Sequence, residues 1–360
     1  MLTPSRLSLA RKRKGMTIAG LSAKTRLSTR ILSSYENGHK QPSTETVDLL
    51  AISLEVPRAF LEASELEEIP LDSISFRALS KMTASQREGS RSSARVAVTV
   101  AEWVEDRFDL PFADIPSPSR LDPESAAEFV RGKWGLGEAP ISNMVHLLEA
   151  HGVRVFATPR QYSSVDAFSF FVKDTPYIFL NTLKSGERGR FDAAHELGHL
   201  VLHRDDVIPH GPEVEAQANR FAAALLMPRG SVLARGLRDA DVAQILRVKP
   251  VWNVAAMALT HRLHELGIMS EWKYRANCKY LSRLGYRSGE PGGIPRERSQ
   301  LLEKVFRALR QDGYSIATAA NEMNLFAEEL NEYVFGLMLT SIDGSSSASQ
   351  TGDRPPLRVV

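Results

Sequence analysis

Cysteine is nearly absent from this sequence, which has Cys278 alone among 360 residues. A single cysteine excludes an internal disulfide and a thiolate metal cluster, and it suits a reducing compartment. The sequence also lacks any apolar run long enough to span a membrane, and its N-terminus lacks the apolar core of a signal peptide. These absences predict a cytoplasmic protein that does not act at a membrane, with Cys278 as a packed thiol.

Positive and negative charges nearly balance over the whole chain, but they are unevenly distributed along it. The formal net charge is +2, whereas residues 1–61 hold ten Lys or Arg and four acidic residues. This segment therefore carries +6 and the remainder −4. A basic block at one end of a near-neutral chain indicates a contact with nucleic acid there. The length allows two or three domains, and a hydrophobic content of 43% is typical of a globular protein.

The motif His-Glu-x-x-His at residues 195–199 is the part of the sequence that most clearly indicates chemistry. Residues four apart lie on one face of a helix, so His195 and His199 can bind one metal ion. Glu196 can act as general base without binding the metal, which is the pattern of zinc peptidases. An apolar stripe at helical spacing supports the helix: Phe191, Ala194, Leu197 and Val201. The alternative is a buried helix whose histidines make ordinary hydrogen bonds, but this alternative does not account for a third ligand.

A catalytic zinc site needs three protein ligands and an open position, and the next predicted helix can supply the third ligand. That helix is bounded by Pro212, which suits a first turn, and by Pro228, which stops a helix. Glu215 and Asn219 share one of its faces with two alanines, whose small side chains allow close approach to the histidine helix. We expect Glu215 to bind the metal and Asn219, one turn later, to orient one of the two histidines.

Two other residues are alternative third ligands. Glu213 lies on a different face of the second helix from Glu215, which makes it the weaker choice. His203 continues the row of His195 and His199, but each four-residue step rotates by about 40° around the helix, so three in a row fit one ion poorly. We therefore expect His203 to lie beside the metal ligands rather than among them.

These two stretches together resemble one known family. The pattern Arg-Phe-x-x-Ala-His-Glu-Leu-Gly-His-Leu-x-Leu-His at 190–203 is followed by Glu-x-x-Ala-Asn-x-Phe-Ala-Ala-x-Leu-Leu-Met-Pro at 215–228. Both are similar to the ImmA/IrrE family of metallopeptidases, over roughly residues 120–270. The resemblance implies a zincin-like fold, one Zn²⁺ per chain bound by His195, His199 and Glu215, and Glu196 as base. It also implies a protein substrate, usually a transcriptional repressor, in a stress or prophage response.

Residues 5–61 are predicted to form short helices. Thr17 and Ser28 suit the N-caps of two of them, Asn37-Gly38 suits a helix end, and Thr44 begins another. The pattern resembles the Xre/Cro-type helix-turn-helix, most clearly at Ile-Leu-Ser-Ser-Tyr-Glu-Asn-Gly. One departure is Ile18, where that family usually has Gln.

The resemblance implies that the second helix of the pair enters the major groove of a double-stranded DNA operator. The candidate base readers are Ser28, Thr29, Arg30 and Ser33. The candidate phosphate contacts are Lys40 and the basic cluster from Arg11 and Lys12 to Lys14. The alternative is a helical packing module with a solvated basic face, because charge runs often only face solvent.

The sequence as a whole predicts an α+β chain with an all-α helix-turn-helix domain, a zincin-like metallopeptidase domain and a helical C-terminal region. The expected ranges are 1–64 for the DNA-binding domain, 65–118 for a linker with a helical segment, 119–270 for the peptidase domain, 271–340 for the helical region and 341–360 for a disordered tail. Strands are predicted at 153–156, 167–172 and 177–180. A sheet edge beside the metal can take a substrate backbone as an added strand.

Residues 237–268 are predicted as two helices with a short turn. They fit a helical lobe of the peptidase better than a second helix-turn-helix, because few basic residues occupy the positions that would contact DNA in such a motif.

The function predicted from these features is a DNA-binding transcriptional regulator that carries a zinc endopeptidase. Candidate donors to the oxyanion are His203, His210 and Tyr162. Cleavage in trans is favoured, because the helix-prone residues 91–108 would have to unfold to enter an active site. One alternative is a non-hydrolytic DNA-binding regulator that senses a ligand or partner, and another is an antitoxin-like repressor that binds a partner protein. The sequence leaves a homodimer open.

Overall fold

A computed structural model describes residues 1–76, 82–118, 121–204 and 211–336 of the chain. Five helices form the N-terminal module: α1 (Pro4–Arg13), α2 (Ile18–Thr25), α3 (Thr29–Glu36), α4 (Thr44–Leu54) and α5 (Arg58–Glu62). Thr17 and Ser28 cap α2 and α3, because their side chains accept hydrogen bonds from backbone N–H groups of the first turn. The predicted helix starts in this module are therefore confirmed.

A four-stranded sheet lies at the centre of the rest of the described chain. Its strands are β1 (Ser75–Phe76), β2 (Arg154–Ala157), β3 (Ala167–Val172) and β4 (Thr175–Leu180). Their spatial order is β1-β3-β4-β2, and only the β2–β4 pair is parallel. The sequence predicts β2, β3 and β4 to within a few residues but does not predict β1.

The two faces of the sheet pack against different parts of the protein, because side chains alternate along each strand. One face contributes Phe156, Phe168, Phe170, Tyr177 and Phe179 to a hydrophobic cluster that also contains residues of the N-terminal module and of the C-terminal helices. The other face contributes Val155, Ala167, Ile178 and Leu180 to a second cluster. The second cluster contains the predicted metal-binding helices.

The candidate metal-binding helices belong to a group of helices whose apolar residues join this second cluster. Its members are α7 (Pro123–Lys133), α8 (Met144–Ala150), α9 (Gly186–Leu202), α10 (Pro212–Leu226), α11 (Arg229–Leu233), α12 (Val242–Val248), α13 (Ala256–Glu265) and α14 (Glu271–Arg283). The helix α6 (Ala84–Glu105) lies on the opposite side of the sheet. The C-terminal region adds α15 (Gln300–Gln311), α16 (Ile316–Glu322) and α17 (Ala327–Tyr333). The expected tail at 341–360 lies outside the described residues. Within the described ranges, no helix is both long and apolar enough to cross a membrane.

The helical segment expected between residues 65 and 118 is α6, and most of its residues are buried. α6 packs against α1, and its apolar residues Val96, Val100 and Val104 belong to the cluster shared by the N-terminal module and the sheet. The N-terminal half of α6 is rich in serine, yet Ser90 and Ser93 are each only 1% exposed. Small side chains are compatible with close helix packing, so their polarity alone does not predict exposure.

Candidate metal centre and DNA-binding face

The two histidines of the motif lie side by side on α9, as their four-residue spacing predicts. Ser185 caps this helix by accepting a hydrogen bond from the backbone N–H of Arg188. His195 is fully buried and His199 is 2% exposed. Their Nε2 atoms are 3.1 Å apart, so both rings direct the same nitrogen to one point.

Glu215 approaches this point from α10, which packs directly on α9. Its two carboxylate oxygens lie 3.6 Å from His195 Nε2 and 3.5 Å from His199 Nε2. The three ligand atoms all lie within 4.8 Å of one another. Two imidazoles and one carboxylate are a donor set that zinc takes in catalytic sites, so these residues fit such an ion. The Glu215 side chain is 31% exposed, which leaves this side of the site accessible.

Each histidine is fixed through its other ring nitrogen. His195 Nδ1 lies 3.0 Å from Asn219 Oδ1, so an Nδ1–H donor leaves the Nε2 lone pair for a metal. His199 Nδ1 lies 3.1 Å from His203 Nδ1, and His203 Nε2 lies 2.9 Å from Gln217 Oε1. Asn219 therefore lies where the sequence places it, next to a ligand. His203 lies behind His199, while sequence reasoning missed Gln217.

Glu196 is fully buried between α9 and the sheet. Its Oε2 accepts a hydrogen bond of 2.7 Å from Ser169 Oγ on β3. Ser169 is 1% exposed, so this contact orients the carboxylate. Sequence reasoning missed Ser169, although one signal was present: a lone serine whose neighbours in a predicted strand are all apolar.

Gly198 lets α10 come close enough for Glu215 to reach the histidines. A Cβ atom at this position would lie 3.1 Å from Phe221 Cδ1 and 3.3 Å from Ala218 Cα. Both neighbours are fully buried on α10. The contact is tighter than ordinary van der Waals packing, so a side chain here would separate the two helices.

The three candidate oxyanion donors differ in where the structure places them. The Tyr162 hydroxyl donates a 2.6 Å hydrogen bond to the backbone oxygen of Arg13 in α1, which corrects its expected place at the metal. Burial raises the pKa of Tyr162 to about 12. His203 is engaged with His199 and Gln217, and His210 lies outside the described residues.

The candidate base readers lie at the start of α3. Ser28, Thr29 and Arg30 are exposed, and Ser33 one turn later is partly exposed. Lys40 is exposed in the turn that follows α3. These residues are accessible to a ligand, whereas Leu32 and Tyr35 of the same helix are buried.

Two basic residues of α1 are paired with acidic side chains of the same chain. Arg11 is 8% exposed and makes two hydrogen bonds to the Glu36 carboxylate, at 2.6 and 2.7 Å. Arg11 is therefore paired within the chain, and its contact with DNA phosphates stays a prediction. Lys12 lies 3.0 Å from Glu88 of α6, so it too is paired within the chain. The sequence shows these positive charges but not their acidic partners.

A cleft of about 480 Å³ lies beside the metal centre. It is lined by residues of α9, α10 and α13, among them Phe191, Asn219 and His261. Asn219 therefore borders this cleft on one side and His195 on the other. The volume is within the range of small-molecule pockets.

Comparison with known protein families identifies two domains in the chain. Residues 148–264 match the IrrE N-terminal-like domain, a peptidase family, and residues 7–61 match a helix-turn-helix domain. A search of curated proteins found no match.

Proposed function

Because this chain joins a helix-turn-helix domain to an IrrE N-terminal-like peptidase domain, we propose that it is a DNA-binding transcriptional regulator with a zinc-dependent endopeptidase activity. Its proposed substrate is a repressor-type protein, as the family resemblance implies. The observation that supports hydrolysis best is the convergence of His195, His199 and Glu215 beside the buried Glu196.

The residues of the site have distinct proposed roles. His195, His199 and Glu215 would bind zinc, which when bound supplies Lewis acidity for a peptide carbonyl and for water. Glu196 takes the proton of the attacking water as general base. Ser169 fixes the orientation of that carboxylate by donating to Oε2, so that the other oxygen can face the water.

Cleavage in trans is favoured over cleavage of the chain's own residues 91–108. These residues are helical up to Glu105 and include the buried Val96, Val100 and Val104. An extended substrate conformation there would require the helix to unfold and leave the core. Cleavage of a separate repressor does not require this helix to unfold.

A second candidate function is a non-hydrolytic regulator that senses a small ligand. The 480 Å³ cleft that shares Asn219 with the metal centre supports it, because a ligand there would contact the residue that orients His195. The buried Glu196 favours hydrolysis, since a ligand sensor does not need a general base.

The test compares cells that carry the wild-type chain with cells that carry Glu196→Gln. We expect the variant to keep about one zinc per chain and to bind DNA. We also expect proteome-wide mass spectrometry to find cleaved proteins in wild type only. The matched control is Glu213→Gln, because Glu213 is a 74% exposed acid on α10 and should not affect cleavage.

Equal cleavage by wild type and Glu196→Gln would reject Glu196 as the base. Normal induction of target genes in the Glu196→Gln strain would reject proteolysis as the mechanism and favour the ligand sensor. Co-purification of a stable partner with an uncleaved complex would favour the antitoxin-like alternative.

A further inference from the structure

The outer edge of β3 is covered by a short strand from the same chain. β1 pairs with β3 in antiparallel register, with Ser75 opposite Ser169 and Phe76 opposite Phe168. β4 pairs with the other side of β3. Without β1, the backbone groups along the outer side of β3 would therefore be open to another strand.

This edge lies directly beside the general base. Ser169 Oγ donates to Glu196 Oε2, so the side chain of Ser169 points to the α9 side of the sheet. Residues opposite each other in an antiparallel pair point to the same face, so Ser75 also points to the Glu196 side. Ser75 is only 2% exposed, so β1 is itself shielded from solvent at this position.

An extended peptide that approaches Glu196 along the sheet needs the same backbone hydrogen-bonding positions. Strand addition is a common way for a protein to bind an extended peptide, and one strand edge accepts one chain at a time. We propose that residues 74–76 occupy in cis the strand position that an extended protein substrate takes. A substrate must displace them before Glu196 can act on it. This inference rests on the proposed peptidase function.

β1 is anchored at its N-terminal end by packing and by hydrogen bonds to the chain that precedes it. Ile74 is fully buried in the cluster shared with the N-terminal module. Arg95 of α6 donates hydrogen bonds to the backbone oxygens of Leu66 and Glu67, which fixes the chain that leads to β1. Within the described residues, β1 pairs with β3 at Ser75 and Phe76. A substrate strand that pairs along more of β3 would form more backbone hydrogen bonds than these two positions offer.

The same chain segment connects β1 to the DNA-binding module. Residues 63–74, which we call the strap, join the end of α5 to β1. Thr3 Oγ1 donates to the backbone oxygen of Ala63, and Arg6 Nε donates to that of Ser64. The strap is therefore fixed near α1 at one end, to α6 at Leu66 and Glu67, and to the sheet at the other end. A displacement of β1 must be absorbed between these contacts or passed to α6 and α1.

The first experiment locks β1 in place in the full-length zinc-loaded protein. The variant Phe76→Cys/Phe168→Cys, with Cys278→Ser, puts two thiols on directly paired residues. Paired residues of antiparallel strands have Cα atoms about 4.5–5.5 Å apart, within the range of disulfides. Residue 168 alternates with Ser169 along β3, so its side chain points away from the Glu196 side of the sheet. The probe is a mixture of quenched-fluorescence decapeptides, and the two single-cysteine variants are treated with the same oxidant.

We expect the oxidised double variant to lose cleavage by about tenfold or more and to regain it on reduction, because the competent state is no longer populated. Comparing oxidised and reduced forms of one protein cancels any loss of stability caused by replacing Phe168. Equal cleavage by the oxidised and reduced forms would overturn the inference.

The second experiment is independent of hydrolysis. Ile74→Ala removes the buried anchor of β1, and Ile141→Ala truncates a comparably buried isoleucine in the other hydrophobic cluster. We expect Ile74→Ala, but not Ile141→Ala, to speed hydrogen exchange of the 167–172 segment at least fivefold and to raise cleavage. If no form of the protein cuts any peptide, the peptidase proposal fails, and this exchange result still decides whether β1 covers the edge. Exchange in wild type as fast as in Ile74→Ala would overturn the strand assignment.

Discussion

Replacing Gly198 by alanine tests whether close packing of α9 and α10 sets the metal site. The matched control is Gly189→Ala on the same helix, where a new Cβ atom would meet no atom within 4 Å. Alanine in place of a helical glycine gains about 0.5–1 kcal/mol of stability when nothing opposes it. Gly189→Ala should therefore raise the free energy of unfolding by about that amount.

Gly198→Ala should not show this gain. Its Cβ atom would meet Phe221 at 3.1 Å and the backbone of Ala218 at 3.3 Å, so α10 must move by a few tenths of an ångström. Overpacking of a buried site costs about 1–3 kcal/mol, which is equal to or larger than the helix gain. The displacement also carries Glu215 away from the histidines, so we expect zinc affinity to fall by about tenfold.

Two measurements check this prediction. Urea denaturation of the metal-free proteins gives the free energy of unfolding, and competition with a chromogenic chelator gives zinc affinity. The argument is refuted if Gly198→Ala binds zinc as tightly as wild type and is stabilised as much as Gly189→Ala. Such a result would mean that α10 accommodates the added methyl group without moving Glu215.

Three further predictions follow from other contacts. Asn219→Ala should lower zinc affinity by about 10- to 100-fold in calorimetric titration, because His195 Nδ1 loses its acceptor; unchanged affinity would contradict that role. In fluorescence anisotropy, Arg30→Ala should cost about 1–3 kcal/mol of operator binding, whereas Lys12→Ala should change neither affinity nor salt dependence, since Lys12 is paired with Glu88. Burial raises the pKa of Glu149 to about 7, so its contribution to stability is present at low pH and is lost as pH rises through that value. Relative to Glu149→Gln, wild type should lose up to about 3 kcal/mol between about pH 4.5 and 8 in urea denaturation, and parallel pH profiles would exclude this.

The parts of the site that follow from helical periodicity could be predicted from the sequence. His195 and His199 share a helix face because they are four residues apart, and Glu215 and Asn219 do so for the same reason. Alanines beside Glu215 and the glycine at 198 indicate close packing of the two helices. These features depend on local spacing, which the sequence displays directly.

The parts that depend on tertiary contacts could not be predicted. Ser169 meets Glu196 only because β3 packs on α9, and nothing near Ser169 in the sequence refers to that helix. Arg11 has the same charge whether it faces DNA or pairs with Glu36, so composition could not separate the two cases. The sequence predicts a helical segment at 91–108, but the packing of α6 on α1 depends on tertiary contacts that the sequence does not display.

The ion pair between Arg13 of α1 and Glu329 of α17 has a consequence for synthesis of the chain. The two residues are 316 positions apart, and the Arg13 side chain is 2% exposed in the complete fold. At about 5–20 residues per second, a ribosome makes Glu329 about 15–60 s after Arg13. The N-terminal module therefore emerges long before its arginine can be neutralised. A nascent chain that stops short of α17 carries an uncompensated guanidinium on the surface of α1 that the complete chain buries.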